Sequence, residues 1–283
     1  MHANQGHGSS PGQGGSVSRE DEAAHRQASS GGTRVDKSST LSSMDPSAEN
    51  QQEHTPLAIV LNGPSSSGKS TLSKALLERL TDRADGDPTL AFAPVAFDDV
   101  VLLISDKLYP ISFVRLQGGD LSRLVSRVPH DGRAGWEYVD ESDASGKHGG
   151  SPRVRLVLSP LGRRLLSGVH RGWGAQLELG TNLIIDHFLQ DTDWYEEMLE
   201  VLHSAGCRLF CVGVYCSVAE LERRESFRND GELEGRPLGL ARRSDELCHG
   251  HNLDYDVIVH TDVESTEESV ESILSAMRRG GFL

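Results

Sequence analysis

Short apolar runs alternate with longer amphipathic stretches over most of the chain beyond residue 56. Five of these runs have the length and the composition of strands, at residues 57–61, 92–97, 182–185, 208–215 and 256–260. Strands that are separated by helical patterns are typical of a parallel sheet with helices on both faces. The pattern therefore predicts an α/β fold in which a five-stranded parallel sheet is flanked by helices.

Two pairs of residues mark the starts of helices in the C-terminal half. Ser217 with Glu220, and Ser265 with Glu268, have the spacing of a capping box. In this motif the serine hydroxyl and the glutamate carboxylate each accept a backbone amide hydrogen at the helix N-terminus. We therefore expect one helix to begin just after each serine.

Two segments do not follow the alternating pattern. Residues 1–55 are rich in Ser and Gly and contain no aromatic residue, so they bury too little apolar surface to offset the entropy of ordering. We interpret them as a disordered tail and residues 56–283 as one folded domain. Between about 115 and 158 the glycines are frequent and the apolar pattern fails. This predicts an insertion that contains a short hairpin at 136–139 and 154–158.

The 283-residue chain is acidic, with 28 basic and 42 acidic side chains and a formal net charge of -14. Its basic residues are scattered, whereas binding to nucleic acid or to an anionic membrane needs a clustered basic surface. No apolar run approaches the roughly 20 residues of a membrane span, and the N-terminal region lacks the apolar core of a signal peptide. The composition therefore predicts a cytoplasmic protein without nucleic-acid or membrane partners.

The strongest chemical signal follows the first predicted strand. The sequence there reads GxxxxGKS and leads into an amphipathic helix, which is the context that a P-loop requires. The predicted phosphate-binding residues are Gly63, Pro64, Ser65, Ser66, Ser67, Gly68, Lys69, Ser70 and Thr71. Glycines allow backbone amides to turn around phosphate oxygens, and the helix N-terminus adds positive potential. The motif predicts that the protein binds a nucleotide.

Three residues have expected roles around that nucleotide. Lys69 would reach its β and γ phosphates, and Ser70 would ligate Mg²⁺. Asp186 ends the third predicted strand and would hold the same Mg²⁺ through water. The chain carries no NKxD or TKxD segment for reading guanine and no acidic pair typical of motor ATPases after Asp186. These features favour a small ATP-dependent kinase.

A kinase also needs a group that orients or deprotonates the acceptor hydroxyl. Asp98 follows the second predicted strand, where it would face the same crevice as the P-loop. We interpret Asp98 as the catalytic base, although its neighbour Asp99 could be confused with it. The alternative is that Asp98 caps a helix over residues 99–108.

A charged segment after the fourth predicted strand has the composition of a kinase lid, at about residues 226–244. Arginines in such a lid can stabilise the charge of the phosphoryl group in transfer. Arg228 and Arg236 are the candidates, with Lys69 and Asp98, for the catalytic set. The alternative is a charged helix and loop that simply face solvent.

Several motifs in chain order carry a resemblance to a known family. They are residues 61–70 around the P-loop, 97–99, 184–187, 212–216, 222–228, 236–242, His249 and 255–257 leading to Thr261. In these motifs the chain resembles the chloramphenicol phosphotransferase-like family of P-loop small-molecule kinases. The resemblance implies a P-loop kinase fold and ATP-dependent phosphorylation of a hydroxyl group on a small molecule, with ATP and Mg²⁺ as cofactors. It also implies that Asp98 is the catalytic base and that lid arginines contact the phosphates.

The chain departs from this family in the lid and in the insertion. Five residues, Gly-Glu-Leu-Glu-Gly, separate Asp230 from Arg236, where the family has a compact RGDR. The insertion falls where the family places part of its acceptor pocket, so chloramphenicol itself is not favoured as the substrate. Two alternatives stay open, a nucleoside or nucleotide kinase and a non-catalytic ATP-binding regulatory module. An acid at position 98 disfavours the regulatory module, because a switch needs none there.

Overall fold

The computed structural model of the protein describes residues 55–87, 90–98, 111–112, 125–126, 135–142, 151–228, 237–251 and 253–283. The strands are β1 (Leu57–Asn62), β2 (Phe92–Ala96), β3 (Ile111–Ser112), β4 (Val125–Ser126), β5 (Trp136–Asp140), β6 (Val154–Leu158), β7 (Asn182–His187), β8 (Arg208–Tyr215) and β9 (Val257–His260). The helices are α1 (Lys69–Ala84), α2 (Pro160–Glu178), α3 (Thr192–Ser204), α4 (Val218–Arg228), α5 (Leu240–Cys248) and α6 (Thr266–Arg279). The predicted tail up to residue 54, Asp99 and Arg236 lie outside the described residues.

Five strands form one parallel sheet in the order β2-β7-β1-β8-β9. This confirms the predicted sheet, and each predicted strand ends within two residues of an observed one. The strand that leads into the P-loop, β1, lies at the centre, and all six of its residues are buried. Because the strands are parallel, the residues that follow β1, β2 and β7 emerge at the edge of the sheet that is formed by the carboxyl ends of its strands.

Helices cover both faces of this sheet, as predicted. Leu57, Ile59 and Leu61 point to the face where α1 and α6 pack. Ala58 and Val60 point to the opposite face, against α2 and α3. This alternation follows from the two-residue period of a strand. Among the described helices, none is long and apolar enough to cross a membrane.

The predicted hairpin in the insertion is confirmed. Strands β5 and β6 pair antiparallel, and Trp136 and Leu156 bury their side chains in a cluster that reaches α2 and α3. The Val154 amide donates to the Gly239 carbonyl at 3.1 Å, just before α5. The hairpin is therefore joined by its backbone to the segment that ends the predicted lid.

One of the two predicted capping boxes forms. Ser265 and Glu268 make both reciprocal bonds at the start of α6. The second predicted capping box is wrong, because the Ser217 amide donates to Asp262 Oδ2 at 3.0 Å and not to the Glu220 carboxylate. The Glu220 carboxylate instead pairs with two arginines of its own helix, which lie three and four residues further on.

Candidate active site

The GxxxxGKS motif forms a loop between β1 and the first turn of α1. Ser66 and Gly68 take positive φ angles of 66° and 92°, and the Ser67 amide donates to the Pro64 carbonyl at 3.3 Å. Helix α1 begins at Lys69 without a side-chain cap and without an acidic residue in its first turn. Its first amides and the positive end of its dipole therefore point toward the loop, which suits an anionic ligand.

Lys69, Ser70 and Asp186 contact one another at the mouth of this loop. Lys69 Nζ donates to the Pro64 carbonyl at 2.8 Å and lies 3.9 Å from Asp186 Oδ1. The Ser70 hydroxyl donates to Asp186 Oδ2 at 2.6 Å. The fold thus brings together Lys69, which the sequence predicted to bind phosphate, and Ser70 and Asp186, which it predicted to hold Mg²⁺.

The last residue of β1, Asn62, anchors the base of the loop. Its side chain is fully buried and donates to the Cys248 carbonyl and to the Tyr255 hydroxyl, both at 2.7 Å. Its Oδ1 accepts from the Leu189 amide at 3.1 Å. Asn62 therefore fixes the chain just before Gly63 against three separate elements. Sequence reasoning missed this role, although a polar residue at the end of an otherwise apolar strand was a usable signal.

Tyr255 and His249 extend this polar cluster beneath the loop. The Tyr255 hydroxyl lies 2.8 Å from His249 Nδ1, and the His249 ring stacks on Tyr215 at 3.9 Å. A Cβ on Gly213 would come within 2.8 Å of the Tyr255 ring, so this close packing requires glycine. Burial and then the charge of Lys69 lower the pKa of His249 to about 4. The imidazole is therefore neutral at pH 7.

A second set of contacts holds the far side of the loop. The Thr261 hydroxyl donates to the Ser67 carbonyl at 2.6 Å. Arg224 donates to the Thr261 carbonyl at 2.7 Å and to Ser67 O at 3.4 Å, while Glu220 accepts from its Nε at 2.8 Å. Sequence reasoning placed Arg224 in the charged run before the lid but assigned it no contact. The charged pair with Glu220, one turn earlier, was the signal available.

A cavity of about 450 Å³ opens beside the loop. Ser66, Gly68 and Thr71 form its phosphate-loop wall, and Arg223 and Phe227 of α4 form part of the opposite wall. Phe227 is 61% exposed, which is unusual for a ring of this size. Within the lining, the Arg223 guanidinium lies over the Phe227 ring, 5.3 Å from its centroid.

Asp98 emerges from the same edge of the sheet. Ala96, two residues earlier, pairs in register with Asp186, and Asp98 itself is exposed. Phe97 is buried and stacks between His187 and Trp194, with ring centroids 5.4 and 5.7 Å away. These contacts anchor the backbone that carries Asp98. Phe97 and Asp98 are helical, whereas residues 99–108 lie outside the described residues, so the alternative that Asp98 caps a helix there is not tested.

A buried pair of histidines lies under this edge. The Nε2 atoms of His170 and His187 are 3.0 Å apart, and both side chains are fully buried. His170 Nδ1 lies 3.6 Å from Glu197 Oε2. Burial lowers the pKa of both imidazoles, so one neutral ring donates a hydrogen bond to the other. Sequence reasoning did not single out His170.

The two ends of the predicted lid are held together by Glu225. Its buried carboxylate accepts from the Gly239 and Ala241 amides, both at 2.7 Å. Arg228 is the last residue of α4, and Arg236 lies outside the described residues. The roles predicted for these two arginines therefore stay predictions.

The C-terminal half of the chain matches a known family. Residues 139–278 match the family described as chloramphenicol phosphotransferase-like protein. Over these residues the chain is similar to the chloramphenicol phosphotransferase-like family, which confirms the resemblance seen in the motifs that they contain. The matched residues include Asp186, Arg224 and Thr261, whereas the P-loop and Asp98 precede them.

Individual relatives are kinases by name. A guanylate kinase from Paramagnetospirillum magneticum is 26% identical over 223 residues, which cover 78% of this chain and 85% of the relative. A solved APS kinase from Mycobacterium tuberculosis is 11% identical with a TM-score of 0.48, covering 79% of this chain and 98% of that one. A solved putative kinase from Chloroflexus aurantiacus is 17% identical, also at 0.48, covering 81% and 97%.

Proposed function

We propose that the protein is an ATP-dependent O-phosphotransferase that moves the γ-phosphoryl group of ATP to a hydroxyl group of a small molecule. The observation that carries this proposal is the contact of Lys69 with Asp186 at 3.9 Å and of Ser70 with Asp186 at 2.6 Å. These three residues lie at the sheet edge from which Asp98 emerges. This shared edge supports the proposal that donor-binding residues and a candidate base act on one substrate pair.

The donor half of the proposal rests on the loop and the cavity beside it. The amides at the start of α1 and Lys69 Nζ would bind the β and γ phosphates. The base and the ribose would then occupy the cavity of about 450 Å³, whose lining includes the exposed ring of Phe227. Arg228 and Arg236 would contact the phosphates from the lid.

The residues at the mouth of the loop also suit Mg²⁺. The Ser70 hydroxyl and the Asp186 carboxylate supply hard oxygen atoms, which Mg²⁺ prefers, and they already lie side by side. Within the described residues, no cluster of three or more acidic, His or Cys side chains could hold a metal by itself. That is consistent with an ion that takes its other ligands from water and substrate phosphates. Bound there, Mg²⁺ would neutralise negative charge on the β and γ oxygens.

Asp98 would act on the acceptor. Its carboxylate would take the proton of the acceptor hydroxyl while that oxygen forms a bond to the γ-phosphorus and the bond to the ADP oxygen breaks. Lys69 would stabilise the negative charge on the phosphoryl oxygens throughout. The hairpin β5–β6 packs in one cluster with Phe97 and with α2 and α3, so it would form part of the acceptor-binding side.

The proposal is tested by incubating the purified chain with ATP labelled in the γ-phosphate and a panel of hydroxylated small molecules. We expect label to move to an alcohol group of one class of acceptor and ADP to form in equal amount. The Lys69→Ala variant serves as the control for contaminating kinases. If the chain binds ATP but labels no acceptor, the regulatory module becomes the better description.

A nucleotide kinase is the second candidate, because the relative with 26% identity is named a guanylate kinase. The acceptor panel should therefore include GMP and other nucleoside monophosphates. A phosphate acceptor is already ionised at pH 7 and needs no base, whereas an alcohol does. The position of Asp98 thus favours the alcohol. Transfer to GMP that survives Asp98→Asn would favour the nucleotide kinase.

A further inference from the structure

One contact to the P-loop comes from Ser244, a residue at the end of the predicted lid to which sequence reasoning assigned no role. Ser244 lies in α5 and is only 1% exposed. Its hydroxyl accepts from the Ser65 amide at 2.9 Å and donates to the Ala241 carbonyl one turn earlier at 2.8 Å. The hydroxyl is therefore oriented by its own helix, and its acceptor capacity is directed at the loop.

Helix α5 is anchored at both ends, so it can serve as a fixed support. At its N-terminus the buried Glu225 carboxylate accepts from the Gly239 and Ala241 amides at 2.7 Å. At its C-terminus the Cys248 carbonyl accepts from Asn62 at 2.7 Å. A helix of nine residues fixed in this way leaves Ser244 little freedom to move.

We propose that Ser244 is a positioning residue of the phosphate-binding loop, which holds the Ser65 peptide so that the following amides face the nucleotide phosphates. This inference rests on the proposed function, since it requires that the loop bind a nucleotide. Without the hydroxyl, the loop samples other conformations, and apparent affinity falls in proportion to the population that remains competent. The support acts on the free loop, before the nucleotide arrives.

The test compares four full-length proteins in titration calorimetry with MgADP: wild type, Ser244→Ala, Ser244→Thr and Ser275→Ala. Ser275 is a half-buried serine of α6 and is the matched control for a helical serine-to-alanine change. We expect Ser244→Ala to raise the Kd for MgADP by roughly tenfold through the lost competent population. Ser244→Thr keeps the hydroxyl and should stay within about threefold of the wild type, as should Ser275→Ala.

Hydrogen exchange without nucleotide separates positioning from a general loss of stability. We expect amides of residues 63–68 to exchange faster in Ser244→Ala, while those of α1 and α6 keep their wild-type rates. An unchanged Kd in Ser244→Ala, or a rise in Kd accompanied by faster exchange throughout the chain, would overturn the inference while leaving the kinase proposal intact. If the wild type binds no MgADP, both fail.

Discussion

The proposed donor side and the proposed acceptor side of the candidate active site are built in different ways. The donor side, from Asn62 to Thr71, follows the central strand β1, and its loop is tied to β7, α4, α5 and the segment after β9. The acceptor side, around Asp98, follows β2, which is an outermost strand of the sheet. Among the described residues, its support includes the aromatic stacking of Phe97 and the hairpin from the insertion.

This difference indicates that donor binding and acceptor binding depend on different kinds of sequence feature. A phosphate chain is the same in every nucleotide, so one short run of residues at the sheet centre can bind it. An acceptor differs from one kinase to the next, and the residues of the proposed acceptor side, Asp98 and the hairpin β5–β6, come from separate segments of the sequence. The donor side is therefore legible as one motif, whereas sequence reasoning assigned a single residue, Asp98, to the proposed acceptor side.

The largest expected effect lies on the donor side. Lys69→Ala removes the cation that is fixed by Pro64 and faces Asp186. We expect phosphotransfer to fall on the order of 10³-fold or more, because both binding and transition-state stabilisation are lost. Lys74→Ala, at an exposed position on the same helix, is the control. Near-wild-type turnover in Lys69→Ala would refute the P-loop assignment.

The next effect tests the acceptor side. Asp98→Asn keeps the size of the side chain but removes the base, so we expect kcat to fall on the order of a hundredfold while ATP affinity is unchanged. Steady-state kinetics and ATP titration measure the two quantities separately. If Asp99→Asn shows this loss and Asp98→Asn does not, the base has been assigned one residue too early.

These two predictions could be made from sequence alone, and so could most of the fold. Strands and the P-loop are local patterns, read within a few neighbouring residues. The supports of the loop are different in kind: Thr261 contacts Ser67 across 194 residues, and Ser244 contacts Ser65 across 179. Nothing in the local pattern around Ser244 or Thr261 marks such a partner, since only the folded chain brings them together.

Substitution of the lid arginines should lower turnover less than substitution of Lys69 or Asp98. Arg236→Ala should lower kcat and kcat/KM by similar factors, on the order of tenfold or more, as expected for an interaction made mainly in the transition state.

Arg223 pairs with Glu220 and borders the cavity. Its alanine variant should leave kcat unchanged and raise KM for ATP at most a few fold. Kinetics of both variants and of Arg228→Ala decide which arginine acts; loss of kcat in Arg223→Ala alone would overturn the lid assignment.

The smallest effect concerns stability beneath the acceptor side. Burial lowers the pKa of His170, Glu197 opposes this shift and the nearby Arg163 adds to it, so that the pKa is about 4. The adjoining His187 is neutral for the same reason. Below the ordinary value of 6.5, the unfolded chain therefore takes up a proton that the folded chain does not, and stability falls as pH drops from about 6.5 toward 4.

For His170 alone, one pH unit below 6.5 costs about 1.4 kcal/mol, or roughly 3–5 °C in melting temperature for a domain of this size. Thermal unfolding at pH 7.5 and 5.5 measures this loss in the wild type. The His170→Gln variant has no imidazole to protonate at this position, so its melting temperature should fall less over the same interval. An equal fall in both proteins would show that His170 does not carry the pH dependence.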